Sequence, residues 1–243
     1  MRNAKRVVAV ASALLVAVAL SACDGERLPR PITDDEADRL SEVFFNNYDN
    51  GGADFVLNVL LPDGSTVTME GAVDFAGDAG LATVVATGPD SSVAEFGWGT
   101  DVAVERLPEL TELTSTMATG RVDYVTRPAD PESNTLDSLA AVVAALGAQV
   151  RENPVLLQQN GVQLERRDVL RGTDVEIYLY GERTRLWVES GTAHLMRFEG
   201  NNEAGNRPLV VDLYEPGART IALPEGAVVV DVGQISELYE ALR

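Results

Sequence analysis

The chain has 243 residues and carries 19 basic against 38 acidic side chains, a net charge of −19 at pH 7. This excess of negative charge disfavours binding to nucleic acid and is typical of a protein that must stay soluble in a crowded environment. With a single cysteine and a single histidine, the chain has too few ligands for the usual zinc sites and cannot form an internal disulfide.

The N-terminus has the features of an export signal. Three basic residues within the first six positions precede an uncharged, almost wholly apolar run over residues 7–20, and Ser21 and Ala22 then lead to Cys23. The run is shorter than the roughly 20 residues that a membrane-spanning helix needs. Small residues before the cysteine are what an export peptidase requires. The alternative interpretation is an N-terminal anchor that is never cut.

The segment Leu20-Ser21-Ala22-Cys23 resembles the lipobox of bacterial lipoproteins. The resemblance implies that the Cys23 thiol receives a diacylglycerol, that residues 1–22 are removed as signal peptide, and that further acylation, for example with palmitate, follows. Two or more acyl chains anchor a protein stably, whereas one does so only marginally. We therefore predict a lipid-anchored protein on the extracytoplasmic face of the cell membrane, with a tether over residues 23–33 and one domain over residues 34–243.

The chain that remains after this cleavage contains only arginine as its basic residue and is rich in small residues with GC-rich codons. Its balance is 16 arginines against 38 acids. This composition favours an origin in a high-GC bacterium such as an actinobacterium.

The first elements of the predicted domain are a helix and a set of strands. Thr33-Asp34-Asp35-Glu36 matches a capping box, and apolar residues at helical spacing continue to Tyr48 before Asn50 and Gly51 end the pattern. Alternating segments then predict strands over residues 55–61, 65–75, 81–87 and 93–98. Short turns rich in glycine and aspartate separate them, so an antiparallel meander is expected.

The second half repeats this order of helices followed by strands. Residues 107–120 permit no assignment, and a strand is predicted near residues 122–126. A helix over 136–150 precedes a shorter helix that begins at Asn153-Pro154 and ends before Gly161. Further strands are predicted over residues 163–170, 175–180, 184–189, 193–198 and 209–214. An apolar run over 228–232 and a helix carrying Ile235, Leu238 and Leu242 close the chain, which makes the fold class α+β.

Residue patterns that would indicate catalysis or metal binding are scarce. His194 lies in a strand pattern, and neither a Gly-x-Ser-x-Gly elbow nor a phosphate-binding glycine loop occurs. Asp49-Asn50-Gly51 and residues 200–203 resemble fragments of calcium loops, but both are interpreted as turns. We predict no enzyme activity, no catalytic residues, no metal and no cofactor. A hydrolase that uses two carboxylates stays open as a third hypothesis, because 38 acids allow many pairs.

Several strands are apolar on both faces, which a sheet with one solvated face does not require. Residues 55–61 and 175–180 are the clearest cases. Either layers cover both faces of the sheet, or the sheet curls around an apolar interior. That interior can be a packed core or can hold a ligand.

The order of lipobox, tether, helix, meander, helices and second meander resembles the LolA-like superfamily. The stretch Leu186-Trp187-Val188-Glu189-Ser190-Gly191-Thr192-Ala193-His194-Leu195-Met196-Arg197 is similar to a strand, glycine turn and strand of the mycobacterial lipid-carrying lipoproteins of the LppX and LprG group. The resemblance implies a strongly curved, incomplete antiparallel barrel with helices over its concave side and an apolar cavity between them.

If the resemblance holds, the protein binds or carries a lipid in the bacterial envelope by burying its alkyl chains. The candidate lipid-binding residues are the large apolar ones on strand faces: Phe55, Leu57, Val67, Met69, Phe75, Phe96, Trp98, Trp187 and Phe198. A filled cavity would instead favour a non-catalytic interaction lipoprotein that binds an envelope protein partner. The helix over 136–150 is rich in alanine, and residues 153–159 have no counterpart in the mycobacterial group, which leaves both hypotheses open.

Overall fold

A computed structural model describes residues 27–61, 63–88, 91–106, 111–112, 123–202, 207–223 and 229–231. The predicted signal peptide, Cys23 and the predicted helix with Ile235 lie outside the described residues. Within these ranges, no helix is both long and apolar enough to cross a membrane.

Four helices and thirteen strands have bounds within the described residues, and residues 111–112 are also helical. The helices are α1 (Asp34–Ser41), α2 (Val43–Asn50), α3 (Thr135–Ala144) and α4 (Pro154–Gln159). The first strands are β1 (Arg30–Pro31), β2 (Gly52–Leu60), β3 (Thr66–Asp74), β4 (Ala79–Thr87), β5 (Ser92–Trp98), β6 (Val102–Arg106) and β7 (Tyr124–Pro128). The remaining strands are β8 (Gln163–Leu170), β9 (Thr173–Tyr180), β10 (Thr184–Glu189), β11 (Leu195–Asn202), β12 (Arg207–Tyr214) and β13 (Val229–Asp231).

All thirteen strands belong to one open sheet with the order β1-β8-β9-β10-β11-β12-β2-β3-β4-β5-β6-β7-β13. Strands β2 to β7 form one meander and strands β8 to β12 form a second. The two meanders join where β12 pairs antiparallel with β2, with Val211 opposite Leu57. Every pair is antiparallel except β13 with β7. The architecture is thus an incomplete, curved antiparallel barrel with helices over its concave side, which confirms the predicted fold class.

The predicted first helix is present but divided. Thr33 caps α1, because its Oγ1 accepts the Glu36 N–H while the Glu36 carboxylate accepts the Thr33 N–H at 2.8 Å, which completes the predicted capping box. The helix is interrupted at Glu42 and continues as α2. Gly51 ends α2 with a φ of 90°, a left-handed conformation that glycine adopts without strain.

Helices α3 and α4 begin at the predicted caps. The Asn134 side chain accepts the backbone N–H groups of Leu136 and Asp137, and Asn153 caps α4 with Pro154 at its first position. Helix α3 ends at Ala144, so the predicted extension to residue 150 is wrong. Gly161 follows α4 with a φ of 73°, as the pattern predicts.

The side chains on the concave face pack into one continuous core under the helices. The largest of them are fully buried, including Phe55, Leu57, Met69 and Phe96 from strands and Leu139 from α3. Alternate residues along each strand reach this core, as the period-two pattern requires. We call it the inner cluster.

A smaller group of apolar side chains lies on the convex face. It consists of Val175, Ile177, Trp187 and Met196, with Leu170 packed against it. The guanidinium carbons of Arg166 and Arg197 lie 5.5 and 5.3 Å from the centre of the Trp187 ring. Arginine side chains therefore cover this outer cluster where no further layer of secondary structure lies over it in the described chain.

Part of the predicted tether packs against the domain. Arg30 and Pro31 pair with Leu164 and Gln163 of β8, Ile32 is buried in the inner cluster, and Leu28 packs against it. The Arg30 guanidinium also binds both carboxylate oxygens of Glu36, at 2.7 and 2.8 Å. The packed part of the chain therefore begins before residue 34, where the domain was predicted to begin.

Candidate functional site

A half-open groove lies on the concave side between α3 and strands β10, β11 and β12. Its volume is about 870 Å³. One wall is the exposed side of α3 and the other is formed by strand residues. The apolar lining residues are Leu139, Ala141, Val142, Ala145, Phe198 and Leu209. We call this space the α3 groove.

Small side chains on α3 and a glycine on β11 create the room for the α3 groove. Ala141 on α3 and Ala145, which caps the end of the helix, leave the backbone close to the space, because alanine is the shortest apolar side chain that favours a helix. Opposite them, the Phe198 ring lies next to Gly200, where a Cβ atom would approach the ring to 2.9 Å. The glycine therefore permits the position of the Phe198 ring in the groove.

A second, smaller cavity of about 220 Å³ lies on the other side of α3, towards the turn between β5 and β6. Ala140, Ala141 and Ala144 line it from the helix, and Trp98 and Ala103 line it from the strands. Helix α3 therefore lies between two cavities, and the small side chain of Ala141 borders both of them. Side chains thus pack less tightly around α3 than around the strands beneath it.

An ion pair holds α3 in this position. Arg127 on β7 donates to both carboxylate oxygens of Asp137 on α3 and also binds Glu105 on β6. Burial opposes ionisation of Asp137, but the bonds from Arg127 and from the Asp130 N–H keep the pKa of Asp137 below its usual range. The bond to Asp137 likewise raises the pKa of Arg127 above its ordinary value. The charged pair therefore persists at physiological pH.

Each of the four buried acids in the described chain has an arginine partner. Asp137 pairs with Arg127, and the other three pairs are Glu36 with Arg30, Glu176 with Arg39 and Asp212 with Arg197. A guanidinium bound to a buried carboxylate satisfies its hydrogen bonds and offsets its charge. The four acids therefore act as structural ion pairs.

Glu152 differs from these acids. Its carboxylate accepts a hydrogen bond from the Tyr180 hydroxyl at 3.2 Å, and burial raises the pKa of the carboxyl. Burial, together with the neighbouring Glu152 carboxylate, also raises the pKa of Tyr180 well above its ordinary value. The two groups tie the segment before α4 to β9.

Metal-binding geometry does not occur in the described residues, where no group of three or more histidine, cysteine or acidic side chains could hold an ion. Asp49 and Asn50 lie at the end of α2. Residue 203 of the second calcium-like segment lies outside the described residues. His194 precedes β11 rather than lying within it, and its Nδ1 is 3.6 Å from a Glu189 carboxylate oxygen.

The structure separates the nine predicted lipid-binding residues into three groups. Phe198 lines the α3 groove, and Trp98, part of the inner cluster, lines the smaller cavity. Six others are buried in the inner cluster: Phe55, Leu57, Val67, Met69, Phe75 and Phe96. Trp187 lies apart from the other eight, because this side chain belongs to the outer cluster. Its neighbours Leu186 and Val188 point inward, so alternation along β10 turns Trp187 outward.

Four residues of the groove lining, Ser138, Leu139, Ala141 and Val142, lie on α3, and none of them was among the candidates predicted from strand faces. Ala141, Val142 and Ala145 were not singled out in the sequence, although the richness of this helix in alanine was apparent. Leu209 was also missed. The available signal was the small residues on a helix that otherwise carries the spacing of a core helix.

No protein-family model matches the chain, and no curated protein matches it. Among solved structures, the chain is similar to an uncharacterized conserved protein from Thermus thermophilus, with 11% identity over 80% of this chain and 95% of that one, and a TM-score of 0.40. It is similar to the MucA/MucB complex of Pseudomonas aeruginosa, with 15% identity, coverage of 79% and 58%, and a TM-score of 0.33. A LolA superfamily protein, NE2245 from Nitrosomonas europaea, gives 12% identity, coverage of 79% and 96%, and a TM-score of 0.26. At these TM-scores the similarities to solved structures carry no argument about function.

Proposed function

We propose that this protein is anchored to the outer face of the cell membrane through lipid on Cys23 and binds or carries a lipid or other hydrophobic ligand in the α3 groove. The observation that carries the proposal is the groove of about 870 Å³ beside α3, with Leu139, Val142, Phe198 and Leu209 in its lining. Ligand pockets in proteins typically measure about 300–1,000 Å³ and are mainly apolar.

The groove offers binding energy through burial of apolar surface. Each methylene removed from water contributes about 0.8 kcal/mol. An alkyl chain of about ten methylenes would therefore gain roughly 8 kcal/mol before the cost of ordering it is subtracted. No reactive group is needed for this function, in keeping with the ion-paired state of the buried acids.

Polar groups at the groove fit an amphiphile. Ser138, Thr184 and Asn201 border the groove together with the carboxylate of Glu132. Hydroxyl and amide groups can bind the polar part of a ligand, whereas Glu132 disfavours a strongly anionic one. We infer a ligand with an apolar tail and a neutral or hydroxylated head.

Anchoring rests on the sequence. The basic start, the short apolar run and Leu20-Ser21-Ala22-Cys23 are the pattern of an exported lipoprotein, and Cys23 is the only cysteine. Within the LolA-like superfamily, the resemblance to the mycobacterial LppX and LprG group gives the same expectation of a lipid-carrying lipoprotein. The abundance of arginine and of small residues with GC-rich codons favours an actinobacterial source.

A second function is supported by a separate surface. Val155 and Leu156 on α4 expose 56% and 52% of their surface, and the inner cluster beneath the helices is densely filled. An exposed apolar pair on a helix is a common contact for a protein partner. An interaction lipoprotein that binds an envelope protein through α4 is therefore the alternative.

Native mass spectrometry of the protein purified from its host membrane tests the carrier function. We expect co-purified lipid in addition to the mass of the Cys23 anchor. Ala141→Trp fills the α3 groove and should abolish this extra mass, whereas Ala76→Trp, in the exposed turn between β3 and β4, should not. A clean apo mass in several wild-type preparations would reject the carrier function, and retention of lipid by Ala141→Trp would reject the groove as its site.

A further inference from the structure

Positive charge is distributed unequally between the two meanders. Residues 52–106, which include β2 to β6, contain one arginine and nine acids, whereas residues 163–214, which include β8 to β12, contain seven arginines and nine acids. The second meander is thus close to neutral in a protein that is otherwise strongly acidic. An anionic partner would meet least repulsion there.

Strand β8 presents two of these arginines at the edge of the sheet. The side chains of Arg166 and Arg167 are 49% and 47% exposed. Arg166 lies 3.7 Å from Glu165 and 3.8 Å from the exposed Asp168, and Arg167 lies 3.3 Å from Glu176. The pairs of Arg166 are exposed and contribute little to stability, so its guanidinium can exchange a carboxylate for a phosphate at small cost. Glu176 is buried, but Arg39 also binds it, so this carboxylate stays paired when Arg167 turns to a phosphate.

The outer side of β8 is mostly uncovered in the described chain. Strand β1 pairs only with Gln163 and Leu164, whereas β8 continues to Leu170. Beyond that pairing, Val169 exposes 58% of its surface. Arg171 follows in the turn, but its guanidinium lies over the Tyr214 ring and donates to the carbonyls of Met196 and Leu213, on β11 and β12, away from this edge. We call Arg166, Arg167 and Val169 the β8 surface.

The course of β1 directs the N-terminal chain towards the β8 surface. Because β1 is antiparallel to β8, with Arg30 opposite Leu164, the backbone that precedes Arg30 is directed towards the Arg166 half of β8. Cys23 precedes Arg27 by four residues, which span at most about 14 Å. Leu28 and Ile32 both pack against the inner cluster, so the chain between them is held against the domain. A lipid on Cys23 would therefore lie close to this edge of the sheet.

We infer that the β8 surface lies against the anionic phospholipid headgroups of the membrane that holds the Cys23 lipid. The inference rests on the proposed anchoring. Guanidinium groups form paired hydrogen bonds with phosphate, and an exposed valine beside them can enter the interface. The domain is then held in one orientation on the bilayer, instead of being lifted away from it by a long tether.

Single thiol-reactive labels at matched positions test this orientation. Val169→Cys places a fluorophore on the β8 surface, and Val93→Cys places one at a strand residue of the first meander with 61% exposure. The acylated protein is inserted in vesicles of phosphatidylcholine, with or without phosphatidylglycerol, that contain a phospholipid spin-labelled at its headgroup. We expect strong quenching at position 169 that increases with phosphatidylglycerol, and weak quenching at position 93.

Arginine variants in the Val169→Cys background identify the charged contacts. Arg166→Gln with Arg167→Gln should decrease the lipid-facing population by roughly fivefold for each arginine removed. Arg106→Gln with Arg151→Gln removes the same charge and should leave quenching unchanged. This control is well matched, because Arg151 also has an ion pair, with Glu42, and lies over an aromatic ring, that of Phe45. Thermal unfolding of each variant verifies that it is folded.

The possible results separate the inference from the anchoring. One label per chain with equal quenching at positions 169 and 93 would overturn the orientation and leave the anchoring intact. Equal effects of the two double substitutions would overturn the role of the β8 arginines. Two labels per chain would reveal a free Cys23 thiol and overturn the proposed anchoring, together with the orientation that depends on it.

Discussion

Arg127 on β7 donates two hydrogen bonds to Asp137 on α3, of 2.5 Å from Nη1 to Oδ2 and 2.7 Å from Nη2 to Oδ1. Paired bonds of this kind fix orientation as well as distance. Since α3 forms one wall of the groove and has a cavity on each side, this ion pair is the contact that most directly sets the width of the groove.

Removal of the Asp137 charge should destabilise the protein. Asp137→Asn leaves Arg127 without its main partner in a buried setting, and loss of one member of a buried ion pair typically costs about 3–5 kcal/mol. Glu105 still binds Arg127, so we expect the lower end, about 3 kcal/mol, in the free energy of unfolding from denaturant titration. Glu132→Gln, at an exposed position just before α3, is the control. Equal unfolding free energies for the two variants would contradict the structural role of the pair.

Stability should depend on pH through Glu36. The hydrogen bonds from Arg30 lower the pKa of Glu36 from 4.5 to about 2. Because the folded-state pKa is lowered, this contribution is fully present above pH 4.5 and is lost as the pH falls towards 2. The difference in unfolding free energy between wild type and Glu36→Gln should be about 3 kcal/mol at neutral pH and should shrink below pH 4.5. A difference that stays constant as the pH falls from 4.5 towards 2 would show that ionisation of Glu36 does not matter.

Gly80 should not tolerate a methyl group. Trp98 lies opposite Gly80 in the β4–β5 pair, and a Cβ atom at position 80 would lie 2.0 Å from the indole ring. Gly80→Ala should therefore displace Trp98, alter its fluorescence and cost about 1–3 kcal/mol, as overpacking does. Gly99→Ala meets no atom closer than 3.4 Å and serves as the control. Identical melting temperatures for these two variants would refute the close approach.

Phe198 and Trp187 should differ in their effect on ligand binding. Phe198→Ala removes an aromatic wall of the α3 groove and should decrease the amount of co-purified lipid. Trp187→Phe alters only the outer cluster and should leave the lipid content per folded chain unchanged. Lipid content is measured by native mass spectrometry of the folded fraction. The reverse order of effects would place the ligand on the convex face.

Local sequence patterns predicted the positions of most strands. Strand β8 has the predicted bounds, and strands β2 to β5 differ from prediction by a few residues at their ends. The capping residues Thr33, Asn134 and Asn153 act at short range, which is why the helix starts are readable from sequence. Strand β6 was missed because it is only five residues long and borders a stretch without a clear pattern.

Features that depend on distant contacts were not predictable. Nothing in the local pattern of residues 52–60 indicates that their partner on one side is residues 207–214. The α3 groove likewise depends on how far a helix lies from strands some 60 residues later, and only small side chains hint at that space. The outward position of Trp187 was available from alternation, but its large apolar ring suggested the interior.

The pairing of β12 with β2 also governs how this sheet can form during synthesis and export. The central seam of the sheet cannot close until residues 207–214 have emerged, about 150 residues after β2. Until then β2 presents an unpaired edge with Leu57 and Val59 beside it, which is a template for aggregation. A chain truncated before β12 should therefore aggregate, even though most of its strands are already made.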